Sequence, residues 1–155
     1  YSTLGADKVE FLIRTNSGEQ LKPLSKIASG GEMSRIMLSI KCVLSEDDPV
    51  GTMIFDEIDV GISGRTAQKV SEKMAVIGKN HQVICITHLA QIAAMADAHY
   101  AIEKNVKDGK TQTQISLLNA HEEIAELARI LGGAMITETV MQSAAEMKEL
   151  ANRTK

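Results

Sequence analysis

The 155 residues carry 17 Lys and Arg against 20 Asp and Glu, a formal net charge of -3, with 44% hydrophobic and only 3% aromatic residues. That balance gives no positive field to gather DNA and little surface for base stacking, so a direct nucleic-acid reader is disfavoured unless a partner segment or an assembled dimer supplies the basic surface. The length fits one domain able to bury roughly 70% of its unfolded surface if it stands alone. Cys42 and Cys85 are far apart and lack a paired Cys/His pattern, so neither a disulfide framework nor a zinc site is suggested, and no apolar run or signal pattern suggests a membrane, which predicts buried free thiols in a cytoplasmic setting.

In chain order, Val9 to Arg14 has strand composition and Asn16-Ser17-Gly18-Glu19 reads as its turn. The strand begins so close to residue 1 that further sequence is expected before it. Leu21 to Ile27, with Pro23, is a linker leading to Ser29. After Gly30-Gly31, Met33, Met37, Ile40 and Leu44 recur at helical spacing with Ile36 and Val43 beside them, which predicts a helix with this stripe in the core; an adaptable methionine binding face is the alternative. Ser45 to Pro49 stops the helix.

Thr52 to Phe55 is too short for a helix and fits a central parallel strand buried on both faces. It leads straight into Asp56-Glu57. Gly61-Ile62-Ser63-Gly64 forms a junction before a helix with Ala67, Val70, Met74 and Ile77 inward, closed by Gly78 and Asn80. Gln82 to Ile86 is the next strand, and Thr87 is placed to cap a helix through Leu89, Ile92, Ala93 and Ala96. Ala98 to Lys104 and Thr111 to Leu118 read as strands around an Asp108-Gly109 turn. Asn119 and Glu122 form a capping box for a helix carrying Ile124, Leu127, Ala128 and Leu131, ended by Gly132-Gly133. The last helix, about Thr137 to Asn152, places Val140, Ala144, Met147 and Ala151 on one face. No repeat or sustained heptad occurs, so a long coiled coil is absent from this piece.

Two stretches carry chemistry. Ser29-Gly30-Gly31 at a helix start exposes unpaired N–H groups and the positive end of the helix dipole, as an anion site requires, although an ordinary Ser cap beside a Gly-Gly turn would look the same. Asp56-Glu57 ends an apolar strand, where both carboxylates can converge on the crevice outside a parallel sheet. Asp56 suits a Mg²⁺ shell and Glu57 the orientation or deprotonation of a water; solvated acids at a strand end are the alternative. Glu32 either stabilises the first helical turn or has a functional role, Arg35 reads as solvated with a nucleotide- or partner-facing role as the alternative, and Asp59 either supports coordination or shapes the loop. His88 follows the second apolar strand and reaches the same sheet edge, whereas His81, His99 and His121 read as surface or packing residues.

The order of these motifs resembles the C-terminal lobe of an ABC-type ATPase head. The wording from Lys26 to Met37 and from Asp56 to Gly64 is similar to a family of SMC-like bacterial DNA repair proteins. The resemblance implies an α/β, P-loop NTPase-like lobe with a mostly parallel sheet flanked by helices, occupying residues 1–155. Ala28-Ser29-Gly30-Gly31-Glu32 then corresponds to the ABC signature, with Ser29 and the Gly30 and Gly31 amides on the γ-phosphate of ATP held by a second head in a homodimer. Asp56 corresponds to the Walker B residue supporting Mg²⁺, Glu57 to the hydrolytic base, Asp59 to Gly64 to the D-loop and His88 to the switch histidine.

No Gly-x-x-x-x-Gly-Lys-Ser/Thr phosphate loop is present in these residues. By resemblance, that Walker A segment belongs to an N-terminal lobe reached through a coiled coil. The chain is expected to be half of a head, inactive alone, whose full-length form hydrolyses ATP and handles DNA in double-strand-break repair at the nucleoid. Another ABC or SMC-like head, and a non-catalytic nucleotide-sensing domain, are the alternatives.

Overall fold

The computed structural model describes residues 3, 5–14, 17–26, 29–45, 48–107 and 109–155. Asn16 of the first expected turn, Ile27 and Ala28 before Ser29, Glu46 and Asp47 of the helix stop, and Asp108 of the hairpin turn lie outside these residues.

The chain opens with a short antiparallel pair, β1 (Leu12–Ile13) with β2 (Lys22–Pro23), followed by a turn of 3₁₀ helix at Leu24–Lys26. Helix α1 (Gly30–Leu44) starts at Ser29, whose extended backbone and side-chain oxygen, accepting from the Glu32 N–H, make it the N-cap. Strand β3 (Thr52–Phe55) then feeds helix α2 (Gly64–Gly78), which returns to strand β4 (Gln82–Cys85) lying parallel to β3 with Ile54 opposite Ile84. A parallel pair needs such a crossover, and α2 supplies it.

Helix α3 is only Ala90–Ala93, started at Leu89 without a side-chain cap. The expected longer helix capped by Thr87 does not form: after one turn the chain leaves the helix at Ala94 and Met95. Strands β5 (Tyr100–Lys107) and β6 (Lys110–Leu117) make an antiparallel hairpin, and helices α4 (Ala120–Gly132) and α5 (Glu138–Thr154) follow. At α4 the capping box closes both ways: the Asn119 oxygen accepts from Glu122 N at 3.0 Å, and the Glu122 carboxylate accepts from Asn119 N at 2.8 Å.

This is an α/β fold of mixed parallel and antiparallel strands flanked by helices. Among the described residues the parallel sheet is the β3–β4 pair alone, and the other two pairs are antiparallel. One core lies between α1, α2 and the sheet, built on Leu38, Met53, Phe55, Ile58, Val70, Met74 and Ile77. A second joins α3, α4 and α5 through Ala93, Met95, Leu127, Ala128, Ala144 and Ala151.

Three expectations about burial are corrected. Strand β3 is covered on one face only: Met53 and Phe55 are buried, while Ile54 is exposed, as are Ile84 and Ile86 on the same face of the pair. Helix α1 is rotated from the expected position, with Gly31 and Leu38 buried and Met37, Ile40, Val43 and Leu44 exposed. The apolar circumference of α1 is wider than one stripe, and its small residues, not its methionines, make the close approach. The thiols are half-buried, not buried.

These exposures add up. The chain presents 11092 Å² to solvent, whereas a self-contained globular protein of 16.8 kDa presents about 7,600 Å². It therefore buries little more than half of its extended-chain surface, not the expected 70%. The exposed large apolar side chains include Ile54, Ile84 and Ile86 on the open face of the parallel pair.

Candidate functional site

The site grows from the C-terminal end of β3. There the chain turns through Glu57 at φ 57°, a left-handed conformation that is unfavourable for a residue with a Cβ. The turn is held by Asp56, whose Oδ1 accepts from Glu57 N at 2.9 Å, and by Val60 N donating to the Glu57 carbonyl at 3.1 Å. Ile58, fully buried, anchors the loop in the core. Asp56 and Glu57 are thereby left exposed side by side beyond the sheet edge. A non-glycine residue kept in such strain by its neighbours is a recurrent feature of functional sites.

The start of α1 lies directly against this turn. A Cβ on Gly31 would come within 2.9 Å of the carbonyl oxygens of both Glu57 and Val60, so only glycine permits the approach. A Cβ on Gly30 would meet the Glu57 Oε2 at 2.7 Å, the far end of a flexible side chain. The two glycines thus do different work. In urea denaturation, Gly31→Ala is expected to lose about 1–3 kcal/mol by overpacking against fixed carbonyls, while Gly30→Ala costs little stability and displaces the Glu57 carboxylate instead.

Arg35, read from sequence as solvated, closes the same junction. Its guanidinium donates to the carbonyls of Ile58 at 3.0 Å and Val60 at 2.9 Å, and Ser34 donates to the Asp56 carbonyl at 3.2 Å. A signal existed in the sequence: Ser34 and Arg35 follow Gly31 by one helical turn and share its face. Glu32 lies in the same first turn, its N–H given to Ser29 Oγ at 3.4 Å and its charge favourable at a helix N-terminus.

Beside this junction, β4 delivers Thr87 and His88. The buried Asp59, 3% exposed, gathers both: its Oδ2 accepts from Thr87 Oγ1 at 2.6 Å and His88 N at 2.9 Å, and lies 3.0 Å from His88 Nδ1. Thr87 Oγ1 also accepts from Leu89 N at 3.1 Å, one turn-like bond ahead of α3. The His88 ring is otherwise open to solvent. Burial, then the negative charges of Asp59 and Asp56, push the Cys85 thiol up to about 12, so it stays protonated and inert at neutral pH.

The structure therefore brings Ser29, Gly30, Gly31, Asp56, Glu57, Asp59 and His88 to one edge of the β3–β4 pair. Among the described residues no three His, Cys, Asp or Glu converge to hold a metal. Magnesium in phosphoryl-transfer sites takes one or two carboxylates and completes its shell with phosphates and water, and exposed Asp56 suits that mode. His81 was missed by the sequence: its Nδ1 lies 2.8 Å from the Val50 carbonyl and its Nε2 2.7 Å from that of Ser45, tying the end of α1 to the start of β3. Among the described residues no helix is long and apolar enough to cross a membrane.

The chain matches no family model. Over nearly its whole length it matches bacterial proteins described as DNA repair protein RecN. It is 48% identical over 151 residues to that of Bacillus subtilis strain 168, covering 97% of this chain, and 50% identical over 143 residues to that of Treponema pallidum strain Nichols, covering 92%. It spans only 26% and 25% of those relatives. Its fold is similar to a solved structure concerning ATP-driven dimerization and DNA-stimulated activation of SMC ATPases, with TM-score 0.51, 22% identity, and coverage of 76% of this chain and 70% of that one.

Proposed function

We propose that this chain, a match to bacterial RecN over 97% of its length, is one half of an SMC-like ATPase head acting in DNA double-strand-break repair and recombination. The observation that carries this reading is the junction in which Gly31 and Arg35 of α1 clasp the turn that exposes Asp56 and Glu57. A phosphate-binding helix start and an acid pair are held as one unit, beside His88.

In this reading Asp56 holds Mg²⁺, which when bound offsets phosphate charge. Glu57 orients the attacking water and takes its proton, and His88 faces the γ-phosphate. Ser29 and the amides of Gly30 and Gly31, with Glu32 beside them, serve ATP held on a second head of a homodimer. The signature and the acid pair would then act on different nucleotides while being fixed to each other. DNA is engaged through the full-length assembly in the cytoplasm, at the nucleoid.

The missing phosphate loop and the surplus apolar surface support the same partner. An N-terminal lobe of the same protein would bring the phosphate-binding lysine and cover the face of Ile54, Ile84 and Ile86. The test is ATP turnover by this chain mixed with that lobe. Turnover only in the mixture is the expected result; turnover by the rigorously pure chain, abolished by Glu57→Gln, would overturn the split-head reading. Associated, folded lobes that bind ATP without turnover would favour nucleotide sensing.

A further inference from the structure

We infer that Asp59 is the positioning residue of His88, fixing the ring in its Nδ1–H form so that Nε2 is the atom presented to the site. This rests on the reading of His88 as the residue that faces the nucleotide, and it assigns Asp59 a task inside the chain.

The geometry runs from burial to orientation. Asp59 is 3% exposed and its single oxygen Oδ2 takes the Thr87 hydroxyl, the His88 backbone N–H and the His88 ring. A carboxylate is an acceptor only, so its oxygen 3.0 Å from Nδ1 favours the form that carries the hydrogen there. The backbone bond to His88 N fixes where the ring begins, and the close approach of Nδ1 to the same carboxylate oxygen sets which ring edge faces it. Free histidine prefers the opposite, Nε2–H, form. A buried carboxylate that selects one tautomer is the same device that orients metal-bound and general-base histidines. Here the scaffold is the loop anchored by Ile58, so the orientation of His88 is set by the strand that also delivers Glu57.

The test is ¹⁵N NMR of the nucleotide-free full-length protein, deuterated and labelled at histidine, above the pH at which the ring is neutral. His88 signals are assigned by their loss in His88→Gln. The Nδ1–H form is expected to be the majority. Asp59→Ala removes the acceptor altogether and is expected to shift the ratio toward Nε2–H, while Thr87→Val, which leaves Nδ1 untouched, keeps it. A majority of Nε2–H in the unsubstituted protein, or an unchanged ratio in folded Asp59→Ala, overturns the assignment. No ATP is present in the measurement, so a failure here is distinct from failure of His88 to affect turnover.

Discussion

Replacing Glu57 with Gln in the full-length protein is expected to lower ATP turnover about 100- to 10,000-fold, the usual share of a positioned acid–base group. Binding of ATP should persist, because the substitution removes a proton acceptor and leaves the shape of the side chain intact. The backbone at Glu57 is held in the left-handed region by Asp56, Val60 and Ile58, so glutamine inherits the same strained turn and the same place against Gly30. Single-turnover hydrolysis measured beside equilibrium nucleotide binding separates the two effects. Equal loss of binding and turnover would mean that Glu57 supports the turn and takes no part in the chemical step.

The second large effect is expected on the open face of the sheet. Ile84→Asp places a charge among Ile54 and Ile86, where it is well solvated in this chain but unpaired once another lobe covers it. Burying an uncompensated charge at a contact costs roughly 3–5 kcal/mol, so affinity for the N-terminal lobe should fall at least about 100-fold. Circular dichroism should show an unchanged fold, since Ile84 is already 44% exposed. Val76→Asp, on the exposed side of α2, is the control and should leave association intact. If both substitutions leave affinity unchanged, the partner sits elsewhere.

Local chemistry was legible in the sequence. Ser29 before two glycines, Asn119 with Glu122, and the inward set Ala67, Val70, Met74 and Ile77 all stand where their residue types and spacing put them. These features depend on neighbours within a turn or two. What was not legible depends on partners far along the chain. Arg35 finds carbonyls 23 and 25 residues away, and Asp59 finds Thr87 and His88 28 and 29 residues away. Neither tie leaves a local pattern. The stripe of α1 misled for another reason: periodicity reveals an apolar face without revealing whether the same chain covers it.

The contact of α1 with the turn after β3 has a mechanical consequence. Gly31 meets two carbonyls without a side chain between them, and Arg35 grips two carbonyls of the same loop, so the joint has no compliant layer. A push on the first turn of α1 is transmitted to Glu57 as displacement and is not absorbed as rotamer changes. If Glu57 is the catalytic group proposed above, a misplacement of about 1 Å could cost it 100-fold, and this joint would then make it a readout of whatever seats itself on Gly30 and Gly31. In a two-headed assembly, such stiffness would tie the firing of one nucleotide site to the occupancy of the other.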